Sequence, residues 1–167
     1  KSDNDCQRHA VDFTEAKAHC QNCDMNPVCH PPGLKTEDMD SLDQWFPTRR
    51  RLKRGESLYE IGEPFTAIYA VRSGFFKTLL PSEQQRDQIT GFQMTGEILG
   101  IDGIGTGNHA CKAVALEASE VCMMPYGSIE ELASNLPNLH AHLNKLMSQR
   151  IVQDQATFQI LANLRSE

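Results

Sequence analysis

Residues 88–107 read QITGFQMTGEILGIDGIGTG. Short β-leaning runs are cut here by glycine at intervals too short for a helix. The same texture extends in both directions. Nine of the eleven glycines lie between Gly55 and Gly107, where they separate SLYEI, AIYAVRSG, FFKTLL and QITGFQM. Many short strands with frequent turns predict a sandwich or barrel. CKAVALEASEVCMMP (111–125) supplies the last strands, with Cys122 in one of them.

Beyond Pro125 the pattern turns helical. SIEELASNL (128–136) reads as a short amphipathic helix capped by Ser128, and PNLHAHLNKLMSQRIVQDQATFQILANL (137–164) as one long helix with Pro137 in its first turn. A helix of about 25 residues runs about 37 Å, more than a domain this small can cover. It is therefore either an amphipathic helix lying on its own core or half of a two-chain coiled coil. Leu143, Met147, Ile151, Asp154, Phe158 and Leu161 follow one another in steps of four and three, so an aspartate interrupts the apolar seam. In a symmetric dimer two Asp154 carboxylates would approach each other, and desolvating like charges together is costly. A pairing surface built this way is weak and can be tipped by a signal elsewhere; the plainer reading turns Asp154 sideways into water.

Ahead of the strands, residues 1–33 are polar and cysteine-rich, and Pro31, Pro32 and Gly33 close them off. TEDMDSLDQWF (36–46) then places Met39, Leu42 and Phe46 on one face of a short helix that Pro47 ends. The divisions are thus an arm over 1–33, a strand-rich domain with flanking short helices over 34–135, and a helix over 136–167. The 167 residues are 40% hydrophobic and 23% charged, with a net charge of −6, which is enough for a core and lacks the basic balance of a nucleic-acid-binding domain. No apolar run is long enough to span a membrane, and none near the start resembles a signal peptide, so a cytoplasmic place is expected. The first residue is Lys, which suggests a fragment.

Six cysteines are present: Cys6, Cys20, Cys23, Cys29, Cys111 and Cys122. Clustering in a chain with a real core and no export signal favours metal or redox use over disulfides. Cys20-x2-Cys23-x5-Cys29 offers three thiolates on one loop, and Cys122 could close the set from the core. Thiolates serve both iron–sulfur clusters and structural zinc. A second CxxC or a paired-histidine motif typical of zinc is lacking, although His19 and His30 flank the cysteines and keep a zinc site open.

The stretches HCQNC…VCHP, YAVRSGFFK, QITGFQMTGEILGIDGIGTG and VALEASEVCMMP closely resemble the fumarate and nitrate reduction regulators, oxygen sensors within the CRP/FNR family of bacterial transcription factors. The resemblance runs from about residue 19 to the end. It implies an α+β, mainly β fold: a cyclic-nucleotide-binding-type β-roll (jelly roll) followed by a long C-terminal dimerisation helix. It further implies a [4Fe–4S] cluster on Cys20, Cys23, Cys29 and Cys122, with Cys6 and Cys111 outside the pattern as plain thiols. The implied partners are a second copy of the chain, pairing through Leu143, Met147, Ile151, Asp154 and Phe158 when the cluster is bound, and, in an intact regulator, DNA and RNA polymerase. A helix-turn-helix DNA-binding domain should follow the long helix, and the chain stops at Glu167, before it.

The same roll often binds a cyclic nucleotide, using a Gly-Glu pair for the ribose and an Arg-Ser or Arg-Thr for the phosphate. Gly96-Glu97 is present, but GNHACKA (107–113) puts His109 and Ala110 at the phosphate position, a poor substitute for a guanidinium. No cyclic nucleotide is expected, and Gly96-Glu97 reads as a turn. A zinc-stabilised or nucleotide-binding roll stays as the alternative. No set of catalytic residues appears, so an enzyme is not expected. TRRRLKR (48–54) reads as a solvated edge leading into the first strand in preference to a DNA contact.

Overall fold

The computed structural model describes residues 48–81 and 87–164. The arm with Cys6, Cys20, Cys23 and Cys29, the amphipathic stretch 36–46 and the middle of the loop 80–88 lie outside the described residues. Eight strands are described: β1 (Thr48–Leu52), β2 (Ser57–Tyr59), β3 (Ala67–Ser73), β4 (Phe75–Leu80), β5 (Gln88–Met94), β6 (Ile98–Leu99), β7 (Lys112–Ala115) and β8 (Ser119–Pro125). They form two antiparallel four-stranded sheets, ordered β1-β8-β3-β6 and β2-β7-β4-β5. Two helices follow, α1 (Tyr126–Asn135) and α2 (Pro137–Leu164). The expected jelly-roll-like β structure with a long terminal helix is what the chain forms.

Alternation along the strands sorts side chains into two cores. Tyr69 and Val71 of β3 and Val121 of β8 point between the sheets, where they meet Leu58, Phe76, Ala113 and Ala115 of the second sheet. Ile68 and Ala70 of β3, and Cys122 and Met124 of β8, point the other way and are covered by Ile129 and Leu132 of α1 and Leu139 of α2. The first sheet is therefore buried on both faces, which is why AIYAVRS reads as a continuous apolar run and not as an alternating one. The fully buried Phe76 alone contributes about 2–3 kcal/mol relative to an exposed ring.

Two local details differ from the sequence reading. Helix α1 starts at Tyr126, ahead of Ser128, and has no side-chain cap. Pro125 ends β8 with its φ already near the helical value, and the Tyr126 N–H, the first of the helix's open donors, is taken up by the Thr66 carbonyl at 2.9 Å. The basic run also does more than lead into a strand. Arg49, Arg50 and Arg51 lie within β1; Arg50 donates to the Leu58 carbonyl at 2.8 Å, and Arg49, Arg51 and Arg72 surround Glu120 of β8.

The β3–β4 turn depends on Gly74, which has φ +94° and sits so close to Ser119 that a Cβ would meet the Ser119 Cα at 2.7 Å. Ser119 Oγ accepts from the Phe75 N–H and donates to the Glu117 carbonyl, which ties that turn to the start of β8.

Candidate functional site: the Cys122 face and the long helix

Cys122 is 7% exposed and faces α1 and α2 on the outer face of the first sheet. Its neighbours across the ladder are Arg49 of β1 and Ala70 of β3. One residue along, Thr48 pairs with Met123, so the chain coming from the cysteine-rich arm enters the sheet beside Cys122. Strand partners lie about 5 Å apart, and the stretch from Cys29 to Thr48 reaches up to about 60 Å when extended. Next to this cluster is a cavity of about 310 Å³ whose lining includes Ile68, Ile98, Ile129, Leu143 and Met147. Of the four candidate ligands, Cys122 is the one among the described residues, and no group of three or more metal-ligating side chains occurs among those residues.

Cys111 is a different kind of thiol. Burial first, then the charge and hydrogen bond of Asp102, push it up to about 12, so it stays protonated and unreactive. Its sequence reading as a plain thiol agrees with that environment.

Helix α2 is 28 residues long, about 42 Å. Leu139 and Arg150 are buried against the roll, with Leu143 and Leu146 partly buried on the same side, and His142 is buried as well. Ile151 and Phe158 are 57% and 55% exposed, and Val152, Ile160 and Leu164 are exposed as well. The candidate seam is thus divided: Leu143 and Met147 turn toward the chain's own roll, while Ile151 and Phe158 form an apolar stripe without cover in the single chain. At about 100° per residue, Asp154 falls between Arg150 on the roll-facing side and Ile151 with Phe158 on the open side. Its carboxylate is paired with Arg150 at 2.7 Å.

The segment 107–113, which the sequence reading sets at the phosphate position, is tied down from within the chain. Asp102 sits in a short 3-10 helix, Ile101–Gly103, between β6 and β7. Its Oδ2 accepts from the N–H groups of Ala110 (2.7 Å) and Cys111 (3.2 Å), and its Oδ1 lies 3.3 Å from Nδ1 of His109. His109 is buried and stacks on Tyr59 with ring centroids 3.8 Å apart. A phosphate placed there would meet a carboxylate where it needs a cation. Gly96-Glu97 is the β5–β6 turn: Gly96 has φ +91°, and the Glu97 carboxylate accepts from the Met94 N–H at 2.7 Å.

Sequence reasoning missed Asp102 and Arg150. Asp102 left one usable signal, an acid in a glycine-rich turn ahead of the 109–111 segment. Arg150 left none, since a charged residue in a long polar helix is unremarkable until its partner is known.

Residues 49–135 match the family of cyclic nucleotide-binding domains. The transcriptional activator protein Anr of Pseudomonas protegens is 42% identical over 146 residues, covering 87% of this chain and 60% of that protein. The fumarate and nitrate reduction regulatory protein of Escherichia coli K12 is 36% identical over 149 residues, with 89% and 60% covered. The chain therefore spans about 60% of the length of these curated relatives. Among solved structures, a cyclic nucleotide-binding domain from Methylobacillus flagellatus superposes with a TM-score of 0.68 at 16% identity, over 83% of this chain and 81% of that one, and this likeness concerns the fold alone.

Proposed function

This chain belongs to the CRP/FNR family, and from that premise we propose that it is the sensory and dimerisation part of an oxygen-responsive transcription regulator. In this reading an arm over 1–33 brings Cys20, Cys23 and Cys29 to Cys122, and the four thiolates hold a [4Fe–4S] cluster. The roll over 34–135 carries Cys122, the helix over 136–167 pairs two copies of the chain, and DNA and RNA polymerase are partners of the intact regulator. The protein acts in the cytoplasm, where thiols stay reduced, binds no cyclic nucleotide and is not an enzyme.

The observation that supports this reading is the Thr48–Met123 pairing, which sets the start of β1, the first described residue after the cysteine-rich sequence, beside Cys122. The donor chemistry fits: a cysteine thiolate is a soft ligand suited to an iron–sulfur centre, and Cys122 packs in a cluster with Ile68, Met124, Leu132 and Leu139. When bound, such a cluster supplies iron–sulfur bonds that oxygen breaks. The chain supplies the linkage. Pinning the arm to Cys122 loads the sheet face that α1 and α2 cover, since Ile129, Leu132 and Leu139 pack on the same cluster as Cys122. That contact fixes α2 on the roll and presents Ile151 and Phe158 to a second copy. Releasing the arm removes the bias, because a bound group shifts a monomer–dimer balance only by its differential affinity for the two states.

Purification without oxygen is the test. A brown protein with about four irons per chain is expected, with Cys122→Ala colourless yet unchanged in far-UV circular dichroism. A colourless parent chain holding one zinc would overturn the reading in favour of a structural zinc roll.

A further inference from the structure

Arg150 is an arginine where a surface helix normally keeps its charges in water. It is 9% exposed, and its guanidinium lies against β5. Gln93 of β5 is fully buried with its side-chain amide against both terminal nitrogens of Arg150, and assigning the amide so that donors face acceptors points its oxygen at the guanidinium. Gly91 makes room: a Cβ there would come within 2.6 Å of Arg150 Nη2. Thr78 completes the wall of the notch, its hydroxyl donating to the Gly91 carbonyl. The other side of the same guanidinium holds Asp154, one turn further along α2, at 2.7 Å.

We propose that Arg150 is a positioning residue of the helix-pairing surface: anchored in the β5 notch, it neutralises Asp154 and sets how strongly two copies of α2 pair. The inference rests on the dimer reading above and adds its regulation. An exposed ion pair at this spacing contributes little, because both long side chains must be frozen to form it. Here the arginine is frozen already by Gln93 and the glycine notch, so the pair forms without that loss. The carboxylate that interrupts the seam is thereby turned toward the roll, away from Ile151 and Phe158, and its charge is balanced within its own chain. Repulsion across the dimer is then governed by whether α2 is seated on β5. Any change that lifts the helix from the notch unmasks Asp154 at the seam.

The test is a double-mutant cycle read by sedimentation equilibrium on the full chain purified and held without oxygen, the state in which pairing is expected, using Asp154→Ala, Arg150→Gln and the pair together. In the parent, Asp154→Ala should tighten the dimer about twofold or less; in the Arg150→Gln background it should tighten it about tenfold, a typical coupling within one ion-paired network. Arg150→Gln alone should weaken pairing, and added salt should restore it by screening the two carboxylates. Gly91→Ala, which displaces the guanidinium without altering α2, should reproduce the weakening. Unfolding midpoints measured in parallel separate this from a stability role, which would lower them without making the effect of Asp154 depend on Arg150. An equal Asp154→Ala effect in both backgrounds overturns the proposal and leaves the dimer reading intact. Monomers in every variant at every concentration overturn both.

Discussion

Replacing Asp102 with alanine removes the carboxylate shared by three ring and backbone groups of the 109–111 segment, and with it the hydrogen-bond partner of the Cys111 thiol. The Ala110 residue is exposed, so its N–H regains water and loses one charge-assisted hydrogen bond. The Cys111 N–H and His109 Nδ1 are more enclosed, and each buried group left without a partner costs about 1–3 kcal/mol. Because the three share one carboxylate, their costs do not simply add, and about 3 kcal/mol is the expected loss. With a urea dependence of about 1–3 kcal/mol per molar, the unfolding midpoint should fall by roughly 1–3 M with an unchanged slope. Asp102→Asn keeps an acceptor oxygen for the two backbone N–H groups and turns an amide toward His109, so it should cost about 1 kcal/mol. Urea titration followed by circular dichroism reads both. The same assay tests the closed phosphate position: cyclic AMP at about 1 mM should leave the parent midpoint unmoved, since a ligand at 100 times its Kd would add about 2.7 kcal/mol. An alanine variant within about 0.5 kcal/mol of the parent, the cost of an ordinary surface change, would refute the reasoning, as would a midpoint raised by the nucleotide.

Two further perturbations probe the frame that carries the site. For Glu120, burial alone would raise the carboxyl, but hydrogen bonds from Arg51 and Arg72 and the nearby charges of Arg72 and Arg49 outweigh it, and the group titrates below its usual range. A folded value below the unfolded one, about 4.3, contributes stability that is present above that value and is lost as pH falls through the lower folded value. Glu120→Gln should thus be less stable than the parent near neutrality and converge with it in acid; parallel curves of urea midpoint against pH would contradict this. Gly74→Ala combines a positive φ with a Cβ driven into Ser119 and should cost about 3 kcal/mol, read as a lower thermal midpoint. A shift equivalent to less than about 1 kcal/mol would show that the β3–β4 turn can yield.

What the sequence made legible and what it hid divide along a physical line. The strands were readable because glycines and apolar runs are local signals, and β3 and β8 carry theirs in the residues that build both cores. The strand position of Cys122 is legible in the run that carries it, and helical periodicity puts Ile151 and Phe158 on one face, which the structure leaves exposed. Periodicity alone could not divide the seam, because Leu143 and Ile151 look equivalent until the roll is there to cover one and leave the other open. Arg150 and Asp102 were hidden for a shared reason. Each is a full charge satisfied by groups distant along the chain or without a side-chain identity: the Gln93 amide for one, the backbone N–H groups of Ala110 and Cys111 for the other. A rule that sends charges to solvent is right on average and fails where a buried polar group needs a partner. Those failures fall on the 109–111 segment, which Asp102 ties down, and on the join between roll and helix, where Arg150 lies against Gly91 of β5.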